Sequence, residues 1–287
     1  MNYSELYRNG VTILSDAGIP EAALDARLLL EFVTGKDMNT LYAHPDTPVS
    51  DRDEVRYREL VADRARHIPL AHLTLKCEFM GIELNVSDRV LIPRQDSECL
   101  VEEAMRYVPD GADILDLCTG SGCLLLALMH YKNNCRGIGI DISADALAVA
   151  RQNARSLQES GGLNGGSVSF IEGDLYKAFG GENQRFDVII SNPPYIASDV
   201  IRTLMPEVRD HEPRTALDGG ADGLDFYRRI ADGASDHLVN YGRIFLEIGY
   251  DQAEAVSQIL AGAGFSDIDV VRDYGGNDRV VKGIKHV

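Results

Sequence analysis

The chain predicts an α/β fold in which a small helical domain precedes a larger, mostly parallel sheet flanked by helices. Three observations predict it. From Ser97 onward, short strand-like runs alternate with helix-length segments, the pattern of a parallel sheet with crossover helices. Before Arg66, apolar residues recur only at three- and four-residue spacing, which is helical. Between these regions the pattern switches to alternation, as in Ile82-Glu83-Leu84-Asn85-Val86.

Taken in order, Ala22 to Leu30 and Tyr57 to Ala65 carry helical periodicity. Gly18-Ile19-Pro20 and Thr47-Pro48-Val49-Ser50-Asp51 supply the breaks, with Ser50 or Asp51 as an N-cap. Residues 1–75 are therefore expected to form a helical domain. Residues 76–95 are expected to form a β-hairpin linker whose turn is Ser87-Asp88 and whose second strand is Val90-Leu91-Ile92. Residues 96–287 are expected to hold the sheet, with strands at 113–117, 137–140, 168–171, 186–190, 243–248, 268–271 and 279–282. The last, short and charged after Asp273-Tyr274-Gly275-Gly276-Asn277, fits an antiparallel strand at the far end of the sheet.

Composition narrows the function classes. With 287 residues, 45% hydrophobic and 25% charged, the chain suits one large globular domain plus a small one. No segment approaches the ~20 apolar residues of a spanning helix. Met1-Asn2-Tyr3-Ser4-Glu5 lacks the basic and apolar regions of a secretory signal, so cytoplasmic residence without a membrane partner is expected. Five cysteines with no Cys-x-x-Cys pair read as packing residues, and no metal is expected. A net charge of −17 argues against a surface built to grip phosphate backbones, so stable nucleic-acid binding is not expected. Arg64, Arg66 and His67 form the nearest basic cluster, but Glu59 and Asp63 dilute it and a solvated helix face is the expectation.

Ile114-Leu115-Asp116-Leu117-Cys118-Thr119-Gly120-Ser121-Gly122 reads as a strand entering a glycine turn that opens a helix. Glycines permit the tight path, and the free N–H groups at the helix start face a ligand. Leu125 stands where the third glycine of a dinucleotide fingerprint would be, so that fingerprint fails. Asp141 closes the next strand near the ~20-residue offset at which a carboxylate meets ribose hydroxyls, and it would repel a 2′-phosphate. The third strand ends in Glu172-Gly173-Asp174-Leu175, where Asp174 can accept from an adenine amino group and Leu175 can pack on the ring. A glycine turn, a ribose acceptor and an adenine site specify an adenosyl ligand without a required phosphate, and S-adenosylmethionine leads. Each residue taken singly also suits a turn or a helix cap.

Asn192-Pro193-Pro194-Tyr195 directly follows the strand Phe186-Asp187-Val188-Ile189-Ile190-Ser191. Asn and Pro are ordinary turn residues, but the placement also suits amino-group methylation. A planar NH2 has its lone pair delocalised and must be held and re-oriented to attack a methyl sulfonium. The Asn192 side-chain oxygen and the Pro193 carbonyl can accept both N–H bonds, Pro194 stiffens the turn, and Tyr195 can pack on the substrate amide or near the sulfonium. Positioning would then supply most of the acceleration, with no strong general base required.

With these residues in hand, the sequence resembles the HemK-type family of N5-glutamine methyltransferases, in its release-factor branch more than its ribosomal-protein branch. The likeness runs through Leu24-Asp25-Ala26-Arg27-Leu28-Leu29, Val90-Leu91-Ile92-Pro93-Arg94, the glycine turn, Ser191-Asn192-Pro193-Pro194-Tyr195-Ile196, Glu212-Pro213-Arg214-Thr215-Ala216-Leu217-Asp218-Gly219-Gly220, and Glu247-Ile248-Gly249-Tyr250-Asp251-Gln252. It departs at Gln95-Asp96-Ser97-Glu98, where the family carries a second proline, and around Pro69, where His72 replaces an aromatic.

The resemblance implies a Rossmann-like class I methyltransferase sheet and a helical domain that docks the substrate. It also implies transfer from S-adenosylmethionine to the glutamine amide of the Gly-Gly-Gln motif in peptide-chain release factors, in translation termination. Thr119, Gly120, Ser121, Gly122, Asp141, Asp174, Leu175 and Asn192 would bind the cofactor. Asn192, Pro193, Pro194 and Tyr195 would hold the glutamine, with Asn192, Pro193 and Tyr195 catalytic and Arg94 and Glu98 in support. Rival readings are a large-subunit ribosomal protein as substrate, N6-adenine methylation of nucleic acid, which the acidic composition opposes, and a cofactor-binding adaptor without activity.

Overall fold

A computed structural model describes residues 1–181 and 184–286, so the last residue of the expected sheet domain, Val287, lies outside the described residues. The chain divides into two compact units, Met1–Lys76 with Met205–His211, and Cys77–Leu204 with Glu212–Val287.

The first unit is helical: α1 (Tyr3–Asp16), α2 (Ala22–Thr34), α3 (Met38–Ala43), α4 (Asp51–Ala65) and α5 (Leu70–Thr74). Ser50 caps α4 by accepting from Asp53 N–H, which confirms the stop-start signal at residues 50 and 51. Leu6, Leu14, Leu29, Leu30, Tyr57 and Leu60 fill the core. Gly10 lets the Tyr57 ring cross α1, because a Cβ there would lie 2.0 Å from the phenol oxygen. Arg64 does not sit on a solvated face. It is 4% exposed, donates to Asp25 at 2.6 Å and to Glu207 at 2.6 Å, and so ties α2, α4 and the Met205–His211 segment together. A guanidinium with two carboxylate partners can be buried where a lone charge cannot, and the diluted basic cluster gave no sign of that pairing.

A hairpin of β1 (Lys76–Phe79) and β2 (Ile82–Asn85) follows, all but its first residue in the second unit. Its turn is Met80-Gly81, not the expected Ser87-Asp88, and residues 90–92 lie outside any strand, with Val90 and Ile92 buried. Both central residues have positive φ, 51° at Met80 and 71° at Gly81, the conformation that matches the twist of a two-residue hairpin.

The remaining elements are α6 (Glu98–Met105), β3 (Asp113–Leu117), α7 (Cys123–Tyr131), β4 (Arg136–Asp141), α8 (Ala144–Glu159), β5 (Ser167–Glu172), β6 (Phe186–Ser191), α9 (Pro206–His211, within the helical unit), α10 (Asp225–His237), β7 (Leu238–Glu247), α11 (Ala253–Gly262), β8 (Phe265–Arg272) and β9 (Asp278–Lys285). Seven strands form one sheet in the order β5-β4-β3-β6-β7-β9-β8. The first five are parallel, and β9 runs antiparallel to both β7 and β8. The last strand is therefore inserted rather than terminal, and β8 forms the edge. Burial explains the order: Val280 and Val281 of β9 are both fully covered, whereas Ser266, Asp267 and Asp269 keep β8 polar and suited to an edge.

Alternate side chains of each strand feed opposite faces. Ile114, Val188, Ile190, Phe245 and Val280 pack with α6, α7 and α8. Leu115, Leu117, Ile189, Ile244, Leu246 and Val281 pack with α10 and α11. Helix α7 is covered over the whole of Leu124–Met129, which explains its uninterrupted apolar run. Strand order reverses between β3 and β6, so the carboxyl ends of β3, β4, β5 and β6 converge on the switch point where such sheets bind ligands.

Candidate active site

A cavity of about 270 Å³ opens at that edge. It is lined by Cys118 to Ser121 after β3, Asp141 to Ser143 after β4, Gly173 to Leu175 after β5, and Asn192 and Pro194 after β6. Val90, Leu91, Pro93 and Arg94 of the segment after the hairpin line it as well, with Thr215, Phe226 and Arg229.

The glycine turn has the shape the sequence implied. Gly120 has φ +55°, and a Cβ there would meet nothing within 4 Å; Gly122 has φ +81° and begins α7. Cys118 holds φ +59°, a conformation uncommon for a residue with a side chain. The turn is pinned from three sides. Thr119 Oγ1 donates to the wholly buried Asp116 carboxylate at 2.5 Å, Gly120 N–H donates to Asp141 at 2.9 Å, and Asn153 Nδ2 donates to the Ser121 carbonyl at 2.9 Å. Burial pushes the Asp116 carboxyl up to about 7 despite the Thr119 hydroxyl, and pushes Asp141 up against the backbone N–H groups of Ser143 and Gly120.

These donor sets fit an adenosyl ligand. Each Asp141 oxygen takes one backbone N–H, from Gly120 and Ser143, which fixes the carboxylate and leaves further lone pairs for ribose hydroxyls. The buried Ser121 Oγ has no hydrogen-bond partner among the described residues and supplies one more unused polar atom at the turn. Leu175 has φ +52° and is buried beside Asp174. The Asp174 oxygens already meet Arg229 and, at 2.9 Å, Lys177, with Arg229 first in holding the carboxyl below its usual range. The side chain after Asp141, Ile142, lies 64% exposed at the cavity wall; an apolar residue that follows a strand-end acid was the available signal for it.

At the lip, Asn192 Nδ2 donates to Ser97 Oγ at 3.3 Å. With its nitrogen so engaged, the amide turns Oδ1 the other way, and no donor among the described residues meets Oδ1 or the Pro193 carbonyl. Pro193 and Pro194 are buried; Pro194 lines the cavity and Pro193 does not. Tyr195 is not among the lining residues either: its hydroxyl points inward to Glu247 Oε1 at 3.5 Å. Gln252 Nε2 donates to the Tyr195 carbonyl at 3.0 Å, which braces the turn from behind. Burial drives the Tyr195 phenol well above its usual range, with Glu247 adding to the effect, so it stays protonated.

Arg94 lines the cavity and pairs with Glu212, whose side chain is 1% exposed. Glu98 lies elsewhere: it accepts Met80 N–H at 2.7 Å and fixes the hairpin turn to α6. Ser97, Asn153 and Glu247 were not singled out from the sequence as site residues. Among the described residues no group of His, Cys, Asp or Glu is arranged to hold a metal, and no helix is long and apolar enough to cross a membrane.

Residues 5–74 match the PrmC N-terminal domain model, and residues 109–216 match a methyltransferase domain model. The Geobacter sulfurreducens release factor glutamine methyltransferase is 41% identical over 270 residues, covering 94% of this chain and 92% of its own. That of Agrobacterium fabrum is 42% identical over 276 residues, covering 93% and 92%. A crystal structure of a methyltransferase from Pyrococcus furiosus aligns with TM-score 0.55 and 19% identity over 79% of this chain and 99% of that one, which speaks for the fold. Identity at this level along nearly the whole of both chains leaves one assignment: the chain belongs to the release factor glutamine methyltransferase family.

Proposed function

We propose that this protein methylates the side-chain amide nitrogen of the glutamine in the Gly-Gly-Gln motif of peptide-chain release factors, with S-adenosylmethionine as donor. The observation that carries the reading is the Asn192 amide at the cavity: its nitrogen is committed to Ser97, so its oxygen and the next residue's carbonyl are two acceptors that no donor among the described residues meets.

A cofactor bound by the glycine turn, Asp141 and Asp174 with Leu175 supplies an electrophilic methyl group. Asn192 Oδ1 and the Pro193 carbonyl accept the two N–H bonds of the glutamine amide and hold its nitrogen in one orientation. As positive charge develops on that nitrogen, the same two oxygens stabilise it. The proton then leaves to solvent, so no side chain need act as a base. Two prolines keep the turn stiff and keep backbone donors from competing. Tyr195, with its hydroxyl held from behind, offers its ring as packing rather than as an acid. In this reading the helical unit, approximately residues 1–75, docks the substrate protein, and the enzyme works in the cytoplasm in translation termination.

Incubating the protein and S-adenosylmethionine with an unmodified release factor, and separately with an unmodified large-subunit ribosomal protein, tests the reading by fragmentation mass spectrometry. A methyl group on the Gly-Gly-Gln glutamine is the expected result. A methyl group only on the ribosomal protein overturns the substrate assignment, and none on either overturns both.

A further inference from the structure

Glu247 closes β7 directly behind the Asn-Pro-Pro-Tyr turn and does not line the cavity. It is 1% exposed, its Oε1 receives the Tyr195 hydroxyl, and its Oε2 is buried without a hydrogen-bond partner among the described residues. The Tyr227 hydroxyl donates to its backbone carbonyl at 2.9 Å, so the main chain is fixed as well. A wholly buried carboxylic acid with one unspent oxygen is costly to fold around, and a role behind the site accounts for it.

The surroundings show why Glu247 is not a structural counter-ion. Arg279 is the cation beside it, and Arg279 already meets Asp273 at 3.0 Å and Asp96 at 3.1 Å. Two carboxylates satisfy that guanidinium without Glu247. The other groups that face it are the hydroxyls of Ser97, Tyr195 and Tyr227 and the thiol of Cys123. Ser97 and Tyr195 connect Glu247 to the methylation turn. Because Ser97 Oγ accepts from Asn192 Nδ2, its own O–H is free to donate, and the Glu247 carboxylate is the acceptor that faces it.

We infer that Glu247 is a positioning residue: its carboxylate, which receives the Tyr195 hydroxyl and faces that of Ser97, sets the direction in which the Asn192 amide presents its oxygen and holds the Tyr195 ring in place. The inference rests on the proposed role of Asn192 as the residue that holds the glutamine amide. An ionised carboxylate accepts from both hydroxyls at once, whereas a protonated one gives up part of that capacity. Burial raises the Glu247 carboxyl to about 7, the Ser97 hydroxyl, Arg279 and the Tyr195 hydroxyl opposing and Asp96 adding to the rise. The turn is therefore ordered above neutral pH and loosened below it.

Glu247→Gln keeps the shape and removes the titration; Ser97→Ala cuts the link to Asn192. Turnover of a full-length release factor and S-adenosylmethionine affinity by calorimetry are measured from pH 5.5 to 9. The expected result for Glu247→Gln is kcat lowered about tenfold to a hundredfold at pH 8, with KM and cofactor affinity within about threefold. The acidic limb of wild-type kcat, centred near 7, is expected to be absent. Wild-type kcat in Glu247→Gln, or an unchanged limb, overturns the inference while leaving the methylation reading intact. The side-chain amide resonance of Asn192, assigned by its loss in Asn192→Asp, provides a readout that needs no substrate. It is expected to titrate near 7 in the wild type and not in Glu247→Gln. A resonance insensitive to pH in the wild type overturns the inference even if the release factor proves not to be the substrate.

Discussion

Gly219 is the sharpest test of how the Asn-Pro-Pro-Tyr turn is held. The backbone around residues 217–220 lies along the turn: Ile196 N–H donates to the Leu217 carbonyl at 3.0 Å, and Gly219 N–H donates to the Ile196 carbonyl at 2.9 Å. A Cβ at Gly219 would lie 2.8 Å from the Pro194 carbonyl oxygen, 2.8 Å from Tyr195 Cα and 2.9 Å from Tyr195 C. Ordinary contact begins at 3.4 Å, so Gly219→Ala must displace the turn or its backing by about 0.6 Å, and the obstruction is backbone that cannot swing away. Overpacking of this kind costs roughly 1–3 kcal/mol of stability. A misplacement of ~1 Å in a catalytic constellation costs about a hundredfold in rate, so a loss in kcat of about tenfold is expected. The glycine turn, Asp141 and Asp174 are on other strand ends, so S-adenosylmethionine affinity should stay within about twofold. Gly262→Ala is the control: a Cβ there meets nothing within 4 Å, and a helical glycine replaced by alanine gains roughly 0.5–1 kcal/mol. Steady-state methylation, calorimetric titration with the cofactor and urea unfolding give the three readouts. A folded Gly219→Ala enzyme with wild-type kcat would refute the claim that this turn positions the reacting amide.

Arg64→Ala leaves Asp25 buried without its partner, and the helical unit should lose about 3–5 kcal/mol, read as faster hydrogen exchange in α1, α2 and α4. Asn153→Ala removes hydrogen bonds to the Ser121 carbonyl, the Asn85 carbonyl and Asn85 N–H, so cofactor affinity should fall severalfold and stability by roughly 1–3 kcal/mol; unchanged calorimetric affinity would contradict the bracing role. Glu247 titrates higher in the folded chain, at about 7, than its ordinary 4.5. Its favourable contribution is therefore full below about 4.5 and lost as pH rises through 7. Glu247→Gln should gain on the order of 3 kcal/mol over the wild type at pH 8 and little at pH 4, measured by urea unfolding at both values.

The sheet and the glycine turn at its carboxyl edge were legible because their signals are local. A strand-length apolar run, a turn of glycines and an acidic residue at a strand end each lie within a few residues, and the switch point then collects them. The bracing of the site was not legible for the opposite reason. Asn192 meets Ser97 across 95 residues, Tyr195 meets Glu247 across 52, and Asn85 meets Asn153 across 68, distances that no periodicity reports. The hairpin turn was misplaced because Ser-Asp is a stronger turn signal than Met-Gly, whereas the decisive fact is two consecutive positive φ angles. The insertion of β9 between β7 and β8 follows from which strand can bury both faces, not from chain order. The inward phenol of Tyr195 follows from a partner contributed by a different strand.

The two ends of the site share a design that runs against stability. Asp116 lies behind the glycine turn and Glu247 behind the Asn-Pro-Pro-Tyr turn; both are wholly buried, both are pushed to about 7 by burial, and each keeps one oxygen without a hydrogen-bond partner among the described residues. Apolar residues of similar size would pack these positions with less strain on folding. What an apolar residue cannot do is accept a hydroxyl proton and thereby fix where that hydroxyl, and the group bonded to it, points. Thr119 is held by Asp116, and Tyr195, with Ser97 beside it, by Glu247. Replacing both acids with their amides should therefore raise stability most above neutral pH while lowering turnover, and a double variant that gained stability without losing activity would show that neither acid orders the site.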